Sequence, residues 1–232
     1  MAEFENLLLD LFDVAPDTDS EPKIARITLN RPHVLNAVST TTVQEIIVAM
    51  QMLQADERVR VVILTGAGRA FCVGADLKER LHKNDADWME QRRVFKESFD
   101  LTYNFTKPLF AAVNGLAFGG GTEIALGCDF VVASTAASFA LPEVSRGIMP
   151  GAGGSQFLLR LTGQNFARWL MFSGARLDAQ EAYRVGIVQH LIEGDRAVFD
   201  QAVLELARQI ARNNPQAVRQ LKELARENLE VK

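Results

Sequence analysis

The spacing of apolar side chains changes several times along the chain, and each change marks an element. Residues 6–14 and 23–30 alternate as two strands, with Pro16–Pro22 as the turn between them and Asn30-Arg31-Pro32 closing the second. From Ser39 to Ala55 apolar residues return at Val43, Ile46, Ile47, Met50 and Leu53, the three-and-four spacing of a helix. The β-branched run Val59–Thr65 predicts a buried strand ending at Gly66, and Phe71-Cys72-Val73 is a shorter strand-like run. A helix is expected over roughly 85–106, broken by Lys107-Pro108, followed by strands at Leu109–Val113 and Asp129–Ser134. After about Leu161 the pattern turns helical, at Phe166–Phe172, Asp178–Tyr183, Arg196–Arg212 and Pro215–Leu229, with one short strand at Ile187–Leu191. Strands alternating with helices predict an α/β core over residues 1–161 and a helical region over 162–232. No linker or low-complexity segment separates them, so both are expected in one continuous domain.

Composition narrows the functions. With 48% hydrophobic and 23% charged residues over 232 positions, the chain has enough apolar side chains for a substantial core. A net charge of -4 argues against a nucleic-acid surface as its main business. Cys72 and Cys128 lie in apolar runs and read as buried, inert thiols in a reducing compartment. Met1–Val14 carries four acids and no Lys or Arg, unlike a secretory leader or a mitochondrial presequence, and the apolar run Leu109–Leu116 is too short to span a bilayer. A cytoplasmic protein is the expectation.

Candidate chemistry concentrates between Gly119 and Gly154. Gly119-Gly120-Gly121-Thr122-Glu123 and Leu141-Pro142-Glu143, leading into Pro150-Gly151-Ala152-Gly153-Gly154, place two carboxylates in apolar company beside glycine clusters. A carboxylate there is costly to bury unless paired or used. Gly66-Ala67-Gly68 and Gly151-Ala152-Gly153-Gly154 lack the third glycine of a dinucleotide fingerprint, and no Gly-Lys-Ser/Thr closes a phosphate loop. His33, His82 and His190 are scattered without acidic or cysteine partners at ligand spacing, so no metal site is expected. No Gly-x-Ser-x-Gly elbow is present either. Gly115–Leu126 reads instead as a strand-to-helix junction whose first-turn N–H groups lack intrahelical partners and favour negative charge. Gly120 and Glu123, three apart, share one helix face there. Glu123 is equally what a helix N-terminus favours, and Asp76, in the second helix start Gly74–Arg80, equally an ordinary cap. Unpaired amides at Ala75 and Gly120, if they faced each other, would form an oxyanion hole.

Taken together, Asn30-Arg31-Pro32-x-x-x-Asn36-Ala37, Phe71-Cys72-Val73-Gly74-Ala75-Asp76-Leu77-Lys78-Glu79, Ala112-Val113-Asn114-Gly115-x-Ala117-x-Gly119-Gly120-Gly121-x-Glu123, and Pro142-Glu143 with Pro150–Gly154 resemble the crotonase superfamily, specifically its enoyl-CoA hydratases. The resemblance runs in order from about Leu7 to the C-terminus. It implies a spiral of repeated ββα units with a helical C-terminal region. It implies that the amides of Ala75 and Gly120 bind the thioester oxygen, that Glu123 activates water for attack at C3, and that Glu143 supplies the proton at C2. Retention of both acids favours hydration of a trans-2-enoyl-CoA over other superfamily chemistry. Ala75, Asp76, Leu77, Lys78 and Gly120 become the expected contacts to the CoA thioester, with Lys78 placed to answer a phosphate. CoA is then part of the substrate, and no cofactor or metal is implied. Trimers or hexamers are the family habit.

Two departures stand out. His33 occupies a place where a lysine often follows the Asn-Arg-Pro turn, and relatives continue through further helices that cover the acyl pocket and pack on a neighbouring subunit. Phe166–Phe172 and Val203–Ile210 offer apolar faces for such an interface, though core packing is the commoner use of such faces. The alternatives that stay open are a double-bond isomerase, a specialised hydratase such as one for methylglutaconyl-CoA, which Phe71–Arg80 resembles, and an idle scaffold. RNA binding, known for one methylglutaconyl-CoA hydratase relative with a lysine-rich helix after the Asn-Ala motif, is disfavoured because Ser39–Ala55 contains no Lys or Arg.

Overall fold

A computed structural model describes residues 3–15, 22–81 and 84–230. Most of the turn expected at Pro16–Pro22 lies outside the described residues, as does His82. In chain order come β1 (Leu7–Asp13), β2 (Lys23–Leu29), α1 (Thr40–Ala55), β3 (Val59–Gly66), β4 (Ala70–Cys72), α2 (Leu77–Arg80) and α3 (Asp85–Tyr103). Then follow β5 (Leu109–Val113), β6 (Leu116–Phe118), α4 (Gly120–Leu126), β7 (Val131–Ser134), β8 (Ser138–Ala140), α5 (Gly154–Thr162) and α6 (Gln164–Ser173). The chain closes with β9 (Arg176–Asp178), α7 (Ala179–Arg184), β10 (His190–Ile192), α8 (Arg196–Ala211) and α9 (Pro215–Glu230). Short 3-10 turns occupy Pro32–Val34 and Pro142–Arg146.

The strands sort into two sheets in a way that reveals the repeat. One sheet has the order β1-β2-β3-β5-β7-β10, and the other β4-β6-β8-β9. β3, β5 and β7 are parallel neighbours in the first sheet, and the strand that follows each, β4, β6 or β8, is a parallel neighbour in the second. A helix follows each pair, so three consecutive ββα units wind side by side. Asparagines stitch successive turns together: Asn114 Oδ1 accepts from the Gly66 N–H (3.2 Å) and its Nδ2 donates to Gly68 O (2.9 Å). Asn36, buried and at φ 56°, donates to Ala67 O (2.9 Å) and Ala70 O (2.8 Å). Asparagine tolerates that left-handed backbone better than most residues, which is why the Asn-Arg-Pro turn ends on it.

Alternation along the central strands divides the core. Val62 and Leu64 of β3 and Leu109, Ala111 and Val113 of β5 face a large cluster that includes α1 and α4. Val61, Ile63, Phe110 and Ala112 face the other side, where Phe199, Val203, Ala207 and Ala211 of α8 cover them. The Val203 face of α8 is thus core, whereas α6 leaves Trp169 and Phe172 exposed, the latter by 74%. Cys72 and Cys128 are both buried, and burial pushes both thiols up, Cys72 to about 12, as expected of inert thiols.

The structure departs from the sequence reading mainly in short pieces. β6, β8 and β9 span three residues each, too few to display an alternation. The junction Gly115–Leu126 therefore contains a strand of the second sheet before α4 begins. α5 was not distinguished from the glycine-rich run before it, α3 ends at Tyr103 rather than 106, and the strand expected at Ile187–Leu191 is His190–Ile192.

Candidate active site

Both glutamates sit on the first turn of a helix that starts immediately after a strand of the second sheet. β6 delivers the chain to Gly119, whose backbone (φ 55°, ψ -125°) caps α4, and Glu123 is the fourth residue of that helix. α4 lies so close to β4 that a Cβ at Gly121 would stand 1.9 Å from Cys72 O, so only glycine fits there. β8 delivers Leu141, and Glu143 follows on the 3-10 turn Pro142–Arg146.

Glu123 is 3% exposed, and its Oε1 accepts from the N–H groups of Ala152 (2.7 Å) and Gly154 (2.8 Å) at the start of α5. Burial holds its pKa above the ordinary value, with the N–H groups of Gly154, Ala152 and Gly151 opposing that rise only in part. The glycine cluster Gly151–Gly154 is therefore a cradle for this carboxylate. Glu143 is 8% exposed, and a Cβ at Gly119 would touch its Oε1 at 3.1 Å. Its Oε2 is buried without a hydrogen-bond partner among the described residues. Burial pushes the Glu143 pKa up to about 7, with the negative charge of Glu123 adding to it and its own backbone N–H and Arg146 opposing. One acid is anchored by donors and the other is left poised near neutrality, an arrangement that separates a base from an acid.

The segments that carry the two amides meet as well. A Cβ at Gly120 would lie 3.4 Å from Gly74 Cα and 3.8 Å from the Ala75 nitrogen, so the turn before α2 and the start of α4 abut. Gly74, at φ 91°, makes that approach possible. An isolated parallel bridge fixes the Ala75 segment: Val38 N–H donates to Gly74 O (2.9 Å) and Asp76 N–H to Val38 O (2.9 Å). That bridge uses the groups on either side of Ala75 and leaves the Ala75 N–H out of it. Gly120 opens α4, where first-turn N–H groups have no acceptor one turn back.

A cavity of about 1480 Å³ connects these groups, lined among others by Ala75, Gly120, Glu123 and Glu143. Asp76, Leu77 and Lys78 also reach it. Asp76, however, is engaged by the protein itself, capping α2 through the Lys78 N–H (3.1 Å) and pairing with Arg31 (3.1 Å). His33 is exposed and does not line the cavity, although its neighbours Val34 and Leu35 do.

Sequence reading missed the wall contributed by α3. Trp88, Arg92, Phe95, Phe99 and Tyr103 line the cavity at steps of four, three, four and four residues. That spacing is present in the sequence, where it looks like a core face; in the structure only Gln91 and Val94 of α3 are buried, and the stripe lines the cavity instead. Phe157 joins Phe99 and Tyr103 at ring distances of 5.9 and 5.8 Å. Phe99 and Phe157 crowd Gly153, within the cradle of Glu123.

Two neighbouring chain segments with Ala75 and Gly120, and an unequal pair of carboxylates, line one cavity, an arrangement suited to acid/base chemistry on a carbonyl compound. The chain belongs to the enoyl-CoA hydratase/isomerase family, whose model matches residues 19–232. It is 39% identical over 202 residues to the short-chain-enoyl-CoA hydratase of Clostridium acetobutylicum, covering 87% of this chain and 77% of that one. With the crotonyl-CoA hydratase of Syntrophomonas wolfei it shares 34% identity over 229 residues, covering 98% and 84%. The crystal structure of enoyl-CoA hydratase from Bacillus anthracis superposes with a TM-score of 0.90 at 36% identity, covering 98% of this chain and 85% of that one. The fold is accordingly the crotonase fold, a mixed α/β spiral.

Proposed function

We propose that the protein adds water across the 2,3 double bond of a trans-2-enoyl-CoA, giving the 3-hydroxyacyl-CoA. The observation that carries this reading is the pairing of an anchored Glu123 with a Glu143 held near neutral pKa, on one cavity with the Ala75 and Gly120 amides. The thioester oxygen docks between the two N–H groups, which take up the charge that develops as C3 is attacked. Glu123, ionised, draws the proton from water as its oxygen bonds to C3. Glu143, protonated, gives its proton to C2 of the enolate-like state. Proton transfer through the two acids then restores them for the next turnover. Lys78 and Arg92 line the same cavity and meet the phosphates of CoA.

Water addition changes no net oxidation state of the substrate, so the reaction calls for no redox cofactor, and the two amides do the polarising work a metal would otherwise do. No helix among the described residues is long and apolar enough to cross a membrane, which fits a cytoplasmic enzyme. The exposed Trp169 and Phe172 of α6 supply an apolar face for a homotrimer or hexamer. The α/β core over 1–161 and the helices over 162–232 work as one domain, since α8 completes the core behind β3 and β5.

Product analysis separates hydratase from isomerase. Crotonyl-CoA should yield 3-hydroxybutyryl-CoA, with a 3-enoyl-CoA converted slowly or not at all. Rapid 3-enoyl to 2-enoyl conversion without hydration would replace this reading with the isomerase.

A further inference from the structure

Glu79 stands in the same short motif as Ala75 and Lys78, yet the hydration chemistry gives it no task. It lies on α2, a single turn of helix that on its own has little to hold it in place. Its carboxylate crosses to the start of α1, where Oε2 accepts from the Thr40 N–H (2.9 Å) and Oε1 from the Thr40 hydroxyl (2.6 Å). Thr40 is the first residue of α1, so the carboxylate meets an amide with no intrahelical acceptor at the positive end of a 16-residue helix. Gln91 of α3, 2% exposed, completes the junction: its Nε2 donates to Glu79 Oε2 (3.1 Å) and to the Thr40 hydroxyl (2.9 Å). One acid thus ties α2 to two long helices.

Around Ala75 itself the restraints are of another kind. Val38 holds Gly74 and the Asp76 amide, and Arg31 bridges the Asp76 carboxylate (3.1 Å) and Ala37 O (2.6 Å). The bridge thus clamps Ala75 on both sides, through Gly74 O and the Asp76 N–H, and α2 begins directly after Asp76, so a tilt of α2 acts on the far end of the same short clamp. A donor that stabilises developing charge must be held within a few tenths of an ångström, because catalytic groups are sensitive to displacements of about 1 Å.

We propose that Glu79 is a positioning residue: by latching α2 to Thr40 and Gln91 it aims the Ala75 N–H at the thioester oxygen. This rests on the oxyanion-hole reading above. Loosening the latch lets α2 tilt and weakens the charge stabilisation in the transition state more than it weakens ground-state binding. The loss falls on kcat rather than KM.

The test uses the full chain and two readouts, kcat and KM for crotonyl-CoA hydration, and the absorbance of a bound cinnamoyl-CoA thioester carrying an electron-donating ring substituent. Its long-wavelength band moves to the red as the carbonyl is polarised. Glu79→Ala is expected to lower kcat about tenfold or more with KM changed less than threefold, and to cut the red shift by half or more. Glu79→Gln, which keeps one acceptor oxygen for Thr40, should recover part of both, and Thr40→Val, which removes only the hydroxyl, should lose less than Glu79→Ala. A lower Tm with kcat and red shift intact would overturn the proposal, reducing Glu79 to a structural clasp. A wild-type protein that produces no red shift would instead overturn the oxyanion-hole reading. A wild-type shift that Glu79→Ala fully retains would overturn the latch alone.

Discussion

Glu143 concentrates the chemistry of the site in one titration. In the unfolded chain its carboxyl has the ordinary value of 4.5, and burial beside Glu123 lifts it to about 7 in the fold. The sign of both consequences follows. Between those values the folded state holds a proton that the unfolded state has released, so rising pH destabilises the fold through this group. Glu143→Gln should therefore raise Tm at pH 8 relative to wild type, an effect that fades toward pH 4, as scanning calorimetry at the two pH values would show. In catalysis the protonated form is the donor, so kcat/KM for hydration should fall as pH rises through about 7, and Glu143→Gln should lose that limb along with roughly 10²–10⁴ of turnover. The two acids were legible in the sequence as costly carboxylates beside glycines. Their division of duties came only through the resemblance, and its physical cause was not legible, because it depends on the Ala152 and Gly154 amides, which only the fold brings to Glu123.

Among the elements, the junction of β4–α2 with β6–α4 sets the geometry of the two donors. Gly74 is where it presses on a donor: a Cβ there would stand 3.0 Å from the Gly120 nitrogen and 3.2 Å from Phe118 O, at a backbone φ of 91° that L side chains rarely adopt. Gly74→Ala should cost about 1–2 kcal/mol of stability from the backbone alone. It should also cut kcat by more than its effect on KM, because the Gly120 amide is what the new methyl displaces. Denaturant titration and steady-state kinetics on the same preparation check the two halves. The long elements α1, β3, β5 and α8 were readable from period and β-branching. The three-residue strands β6 and β8, which aim α4 and Glu143 into the cavity, were not, since their identity comes from pairing with partners more than twenty residues away. The cavity face of α3 was present as a four-and-three spacing of Trp88, Arg92, Phe95, Phe99 and Tyr103, yet a stripe that lines a cavity and one that packs a core look alike in sequence.

At the scale of the whole molecule, the C-terminal helix is attached largely through polar contacts. Lys222 Nζ donates to Lys107 O (2.8 Å) and Asp129 Oδ2 (2.9 Å), while Leu221 and Leu224 remain exposed. Lys107 is itself buried, donating to Leu53 O (2.7 Å) and Asp56 O (2.6 Å) at the end of α1, and burial lowers its pKa to about 8. Lys222→Ala should speed amide hydrogen exchange across α9 while leaving the protection of β3 and β5 unchanged, because the lost contacts anchor one helix and not the core. The overall α/β order could be read from the alternation of elements, and the motifs supplied the spiral by resemblance. The partition of strands into two sheets is a long-range property that no local spacing encodes. What unites the three scales is that the spiral brings two helix starts and two acids to one cavity for water addition. The most direct measurement is loss of the conjugated enoyl absorbance of crotonyl-CoA with purified wild type, Glu123→Gln and Glu143→Gln, alongside thioester binding by each. Wild type should form 3-hydroxybutyryl-CoA, and each variant should bind the thioester within a few-fold of wild type while turning over roughly 10²–10⁴ more slowly. Near-normal turnover in either folded variant would contradict the assignment of water activation and proton donation to this pair.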